Sequence, residues 1–272
     1  MTPDPSTGKQ YCQPLHAIPS LIHALAFSQV VLLSVPLMQL FGSQPPDELK
    51  GEAVILLHGL ARTEKSMRHI ARALESEGYA VVNQGYPSTS AQIQELADLA
   101  IAEALAEPVV QGSQRVHFVT HSMGGILVRS YFARHSHEKL GRVVMLAPPN
   151  QGSEVVDRLR DRWLFQMING PAGSQLGTDP DSVPNQLGKV DFELGVIAGN
   201  RSINWINSLM IPGANDGKVS VASTRVEGMN DHITIRTTHP FIMRDSSVIR
   251  QTLTFLKSGM FNSNNQGSRA TR

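Results

Sequence analysis

The densest chemical signal in the 272-residue chain is Thr120-His121-Ser122-Met123-Gly124-Gly125. A buried-strand pattern, Arg115 to Thr120, leads into it, and an amphipathic helix through Phe132 follows. That context matters more than the letters. A serine in a tight strand-to-helix turn has its Oγ pushed out over the carboxyl edge of a sheet, where it can act as a nucleophile. Gly124 and Gly125 leave room for the chain to reverse closely. Thr120 stands where G-x-S-x-G has its first glycine, so the bare motif is incomplete, and the bland alternative for Ser-Met-Gly-Gly is a helix cap.

A second group, Leu57-His58-Gly59-Leu60, ends another apolar run. Its small glycine lets backbone N–H groups face the region above the sheet edge. Acyl transfer through a serine passes through a tetrahedral oxyanion, and one well-placed donor lowers that barrier by about 2.7–4 kcal/mol. The amides of Leu60 and Met123 are the expected donors. His58 is read as a local brace of its loop, because the donor needed is backbone rather than imidazole.

Other chemistries have less support. Lys+Arg number 24 against Asp+Glu 23, a net charge of +1, and no basic block is present, so the phosphate-neutralising surface of a nucleic-acid binder is not expected. A single cysteine, Cys12, excludes an intramolecular disulfide and a thiolate metal cage. His135-Ser136-His137-Glu138 places two imidazoles and a carboxylate close together but lacks the continuation of a metallohydrolase. No H-E-x-x-H, Walker A loop or G-x-G-x-x-G occurs. No metal or cofactor is expected.

The elements that must hold these residues follow from short apolar runs alternating with amphipathic helices from Ala53 onward, the pattern of a parallel sheet covered on both faces. Strands are expected at Ala53 to Leu57, Tyr79 to Val82, Arg115 to Thr120, Arg142 to Leu146, Glu193 to Ala198 and Ile233 to Thr237. Thr63 is a candidate N-cap for the helix carrying Met67, Ile70, Ala71 and Leu74, which Gly78 stops. Thr89 and Gln92 form a candidate capping box before Ile93.

Five groups in order, His58-Gly59, Thr120 to Gly125, Ala147-Pro148-Pro149-Asn150-Gln151-Gly152-Ser153, Asn215-Asp216-Gly217 and Thr238-His239-Pro240, resemble the α/β-hydrolase superfamily, nearest to its bacterial lipases and esterases. The resemblance covers roughly residues 50 to 257. It implies an α/β fold with an open, mostly parallel sheet, helices on both faces and a small cap, and a cofactor-free Ser-His-Asp mechanism on small-molecule or lipid esters. Triads of this superfamily run Ser, then acid, then His, so Ser122 is the nucleophile, Asp216 the acid and His239 the base. Asp179, Asp181, Asp191 and Asp231 compete for the acid's place. Asp231 and His232 stand at the entrance of a strand, which puts them at the wrong edge of a parallel sheet. Acyl transfer on the same acyl-enzyme, and a non-catalytic binding protein of this fold, are the alternatives.

Residues 47–258 are therefore expected to form the catalytic domain, with 1–46 an apolar segment and linker and 259–272 a flexible polar tail. No charged side chain occurs from Gln10 through Pro46. As a helix, Leu21 to Phe41 would measure about 31 Å, close to a bilayer core, although Pro36 and several polar residues interrupt it. It is read as a signal sequence or membrane anchor, a helix lying on the catalytic domain, or an extension. A membrane-associated or exported protein is favoured over a cytoplasmic one, and the oligomeric state is left open. Ser153 to Ile168 is read either as a cap whose Trp163 and Phe165 line an acyl pocket or as a helix packed on the sheet.

Overall fold

The computed structural model describes residues 51–203 and 205–262. The segment Leu21 to Phe41, the linker Ser43 to Pro46 and the tail beyond Asn262 lie outside the described residues. Six strands, β1 (Glu52–Leu57), β2 (Ala80–Gln84), β3 (Arg115–His121), β4 (Leu140–Leu146), β5 (Leu194–Gly199) and β6 (Asp231–Ile235), form one sheet in the order β2-β1-β3-β4-β5-β6. Every pairing in it is parallel. Between and after the strands run α1 (Arg68–Ser76), α2 (Ile93–Ala106), α3 (Pro108–Gln111), α4 (Met123–Phe132), α5 (Glu154–Leu159), α6 (Trp163–Ser174), α7 (Val183–Gln186), α8 (Trp205–Met210) and α9 (Ser246–Ser258).

The apolar runs that mark the strands feed two cores, because successive side chains on a strand point to opposite faces. Ala53, Ile55 and Leu57 of β1 join Phe118, Val143 and Met145 against α2 and α4, through residues such as Ile93, Leu96, Ile126 and Leu127. Val54 and Leu56 turn the other way and join Val119, Val144 and Leu146 against Ile70 and Leu74 of α1 and Val248, Phe255 and Leu256 of α9. Each large side chain fully buried in this way contributes about 1.5–3 kcal/mol. On β5, Gly195 clears the space for Phe255, two of whose ring carbons would lie 2.6 Å from a Cβ placed there.

The strand order creates the place where chemistry can happen. From β1 the chain turns to the face carrying α1, whereas from β3 it turns to the opposite face carrying α4. The loops after these two neighbouring strands therefore diverge at their carboxyl ends, the usual ligand position in open α/β sheets. No helix among the described residues is long and apolar enough to cross a membrane.

Helix starts differ from the sequence reading. A short 3₁₀ turn, Glu64–Met67, precedes α1, and Thr63 makes no side-chain cap bond to it. Gln92 holds the N-cap position of α2 without capping through its side chain. Instead, the Ile93 N–H donates to Gln175 Oε1 at 2.8 Å. An N–H of a first helical turn needs an acceptor from outside the helix, and here it comes from the residue that ends α6, far along the chain. Helix α6 is itself broken at Gly170 (φ 61°, ψ −167°), where a Cβ would overlap the Thr89 carbonyl. The kink lets the second half of α6 close against the loop before α2.

Candidate active site

Ser122 ends the run of β3 and begins α4 with φ 54° and ψ −123°, a conformation that costs a non-glycine residue about 1–3 kcal/mol and persists only where the surroundings impose it. The surroundings are close. A Cβ on Gly124 would lie 2.7 Å from the Leu57 carbonyl oxygen and 2.9 Å from that of His58; on Gly125 it would lie 3.0 Å from Met145 Sδ. A Cβ on Gly59 would meet His121 Nδ1 at 2.8 Å and Ser122 Cβ at 3.1 Å. The three glycines let the end of β1, the turn and the start of α4 share a space too small for side chains.

The loops after β5 and β6 bring the other two groups. Asp216 and His239 are both buried. Asp216 Oδ1 accepts from the amides of Lys218 and Val219, each at 2.9 Å, and Oδ2 accepts from His239 Nδ1–H at 2.7 Å. The His239 amide donates to the Asp216 carbonyl at 3.1 Å, so backbone as well as side chain ties the two loops. With the proton on Nδ1, Nε2 is an acceptor, and the Ser122 hydroxyl donates to it at 3.1 Å. Gly199 ends β5 where a Cβ would meet Asp216 Cβ at 2.9 Å, which lets the Asp216 loop close over the sheet edge. Asn215 fixes the turn, its Oδ1 accepting from the Gly217 amide and the Ser208 hydroxyl.

The structure thus brings Ser122, His239 and Asp216 into one hydrogen-bonded chain, and Ser122 alone of the three keeps appreciable exposure. Asp231 lies at the opposite edge, where its Oδ2 accepts from the Phe261 amide, and His232 Nε2 pairs with Thr224 Oγ1. Asp179 pairs with Arg160 on the surface. The Met123 amide is the first of α4 and has no acceptor within the helix. Neither it nor the Leu60 amide has a backbone or side-chain acceptor among the described residues. His58 is committed elsewhere: Nδ1–H donates to the Gly59 carbonyl, Nε2 accepts from the Tyr86 amide, and the ring stacks on Tyr86 at 4.1 Å. Burial lowers its pKa, so it is a neutral brace.

Two residues contribute more than their letters suggested. His121 is buried, its Nε2–H donates to the His239 carbonyl at 3.1 Å, and its ring lies 4.8 Å from that of His239. Burial, followed by the His239 and Arg62 charges, drives its pKa well down, so it stays neutral and supports the backbone of His239. The Tyr86 hydroxyl donates to the His58 carbonyl, holding the loop that carries the Leu60 amide. His121 was in plain view within the motif; Tyr86, just beyond β2, gave no signal of its own. Trp163 stands 72% exposed on α6, whereas Phe165 is partly buried against the core on the α2 and α4 face.

No curated protein matches the chain by sequence. Among solved structures, the fold is similar to the mature lipase BlEst2 of Bacillus licheniformis (TM-score 0.59, 21% identity, 78% of this chain and 91% of that one). It is similar also to the metagenomic carboxyl esterase MGS0156 (TM-score 0.57, 17% identity, 71% and 65%) and to the Staphylococcus hyicus lipase (TM-score 0.52, 12% identity, 74% and 91%). At these identities the likeness is one of fold. A family model described as the alpha/beta hydrolase family matches residues 54–201, from β1 through the end of β5. With that match over more than half its length, and with the sheet on which the match lies, the chain belongs to the alpha/beta hydrolase family.

Proposed function

We propose that the protein is a carboxylic ester hydrolase of the esterase and lipase type, working through Ser122, His239 and Asp216. The observation that carries this reading is the hydrogen-bonded order Ser122 hydroxyl, His239 imidazole, Asp216 carboxylate, on the loops that follow β3, β6 and β5. Ser122 Oγ attacks the acyl carbon as its proton passes to His239 Nε2. The imidazolium so formed faces Asp216 Oδ2, which stabilises the charge and fixes the ring. The tetrahedral oxyanion accepts from the Leu60 and Met123 amides, the second at the positive end of α4. Collapse expels the alcohol, which takes the Nε2 proton. Water, deprotonated by the same nitrogen, then releases the acid.

Ester substrates with apolar acyl chains suit the surroundings. Leu60 and Phe165 offer apolar surface partly buried against the core, and Leu164, Met167 and Ile168 leave apolar side chains exposed along α6. The names of the structural relatives, lipases and a carboxyl esterase, agree with this substrate class. The test is a series of chromogenic esters of increasing acyl length, assayed with wild type and Ser122→Ala. Turnover that falls by a factor on the order of 10⁶ in the variant supports the reading. Undiminished turnover in Ser122→Ala overturns it.

A further inference from the structure

Helix α4 has Ser122 as its N-cap and carries Arg129 in its last turn, about 10 Å further along the axis. Arg129 is only 3% exposed. Burial alone lowers its pKa, to about 10, so it is charged at neutral pH. No carboxylate pairs with it among the described residues. Its two terminal nitrogens donate instead to uncharged oxygens: Nη1 to the Asn150 carbonyl at 2.9 Å and to Asn150 Oδ1 at 3.2 Å, Nη2 to the Pro184 and Gly188 carbonyls at 3.0 and 2.8 Å. A charge buried without a counter-ion is costly to hold, and a guanidinium offsets that cost through donors whose directions are fixed by its plane.

Those directions lead to Asp216. Asn150 is buried, and while its Oδ1 accepts from Arg129 its Nδ2–H donates to the Thr224 carbonyl at 2.8 Å. Its neighbours extend the contact: the Gln151 amide donates to the Ser223 carbonyl at 2.9 Å, and the Ser153 hydroxyl to the Lys218 carbonyl at 2.7 Å. The segment Asn150-Gln151-Gly152-Ser153 is thus a template for residues 218–224. That stretch is tied within itself, the Thr224 amide and hydroxyl donating to the Ser220 and Val221 carbonyls, and the Val221 amide ties it back to the Ala214 carbonyl. It begins with Lys218 and Val219, whose amides hold Asp216 Oδ1. One helix therefore carries Ser122 at its start and, two turns on, the group that fixes the turn behind Asp216.

We propose that Arg129, acting through Asn150, is a positioning residue for Asp216: it fixes the 218–224 turn relative to α4 and so keeps the Asp216 carboxylate on His239 Nδ1. The inference rests on the ester hydrolase reading for its effect on rate. Asn150 is the link that can be cut cleanly. In Asn150→Asp the new carboxylate still accepts from Arg129, which gains a counter-ion, whereas an oxygen replaces the Nδ2–H against the Thr224 carbonyl and leaves that contact repulsive. Gln151 and Ser153 still hold the turn, so Asp216 is displaced but not released. A shift of about 1 Å at such a group costs up to about 10² in rate.

The kinetic experiment compares full-length wild type, Asn150→Asp and Arg129→Met on a short-chain chromogenic ester. In both variants kcat should fall about 10- to 100-fold while KM stays within about twofold. Added to Asp216→Ala, neither substitution should lower kcat further, because a residue that acts through Asp216 then has nothing left to position. Undiminished kcat in both variants overturns the proposal. So does an equal fold-loss with and without the Asp216 carboxylate, the mark of a merely structural role. Proton NMR separates this from failure of the hydrolase reading. The downfield resonance of the His239 Nδ1–H, identified by its loss in Asp216→Ala, should shift or broaden in Asn150→Asp and equally in Ser122→Ala/Asn150→Asp. A resonance unmoved by Asn150→Asp overturns the positioning role even where esters are cleaved. A shifted one supports that role even in a protein that cleaves no ester, and the fault then lies with the hydrolase reading alone.

Discussion

Replacing Gly124 with alanine asks whether the close approach of β1 and α4 is what holds Ser122 in place. The added Cβ would stand 2.7 Å from the Leu57 carbonyl oxygen, 2.9 Å from that of His58 and 3.1 Å from the Leu57 carbonyl carbon. All three are backbone atoms. Leu57 is paired on both sides, with Gln84 and Thr120, so β1 cannot retreat without disturbing two ladders. The strain must move α4 instead. Overpacking of this kind costs about 1–3 kcal/mol. The shift carries the Ser122 hydroxyl and the Met123 amide with it, and a misplacement of about 1 Å at reacting atoms costs on the order of 10² in rate. Gly124→Ala should therefore lose about 1–3 kcal/mol by urea denaturation and about 10- to 100-fold in kcat/KM on a short-chain chromogenic ester. Gly112→Ala is the control: it has φ −72°, its nearest contact is the Pro108 carbonyl oxygen at 3.4 Å, and both quantities should stay near wild type. Should Gly124→Ala match wild type in both, the elbow tolerates a side chain and the reasoning fails.

Three further outcomes follow from the hydrogen bonds and buried groups. Asp216→Asn should lower kcat by about 10⁴ through the wrong imidazole tautomer while leaving the fold intact; near-normal turnover there, with Asp191→Asn or Asp181→Asn dead, would move the acid elsewhere. Gln175→Ala should cost about 0.5–2 kcal/mol by removing the acceptor of the Ile93 amide, with Thr89→Ala within about 0.5 kcal/mol of wild type; the reverse order in urea midpoints would restore the local capping box. Burial, then the charges of Arg115 and Arg142, lowers the pKa of His117 to about 4, and burial followed by Arg225 does the same for His232. The unfolded chain takes up these protons near pH 6.5 and the folded protein only near pH 4, so stability present above pH 6.5 drains away across that interval. Fully buried His117 alone accounts for up to about 3 kcal/mol. Urea midpoints independent of pH between 7 and 4.5 would contradict this.

What could be read in the sequence was what local physics decides. Apolar runs such as Ala53 to Leu57 announce strands because a sheet covered on both faces buries every side chain, and the structure divides them between two cores by the pleat. Strand ends drifted: β6 begins at Asp231 and not Ile233, since a half-exposed strand start carries little apolar signal. Tertiary partners were invisible. Thr89 and Gln92 have the letters of a capping box, but Gln175 supplies the acceptor from another element. Apolarity made Trp163 and Phe165 look alike, yet one faces solvent and the other packs, because composition does not say which side of a helix has a neighbour.

The central claim is that Ser122 carries the acyl group through turnover, and it is tested most directly by trapping. Wild-type protein mixed with a slowly deacylating chromogenic ester, quenched with acid and digested, should yield one acylated peptide, with the added mass on Ser122 and none in Ser122→Ala. A burst of released alcohol equal to the enzyme concentration should accompany it. An acyl adduct on another residue, or full turnover with no adduct and no burst, would contradict the account.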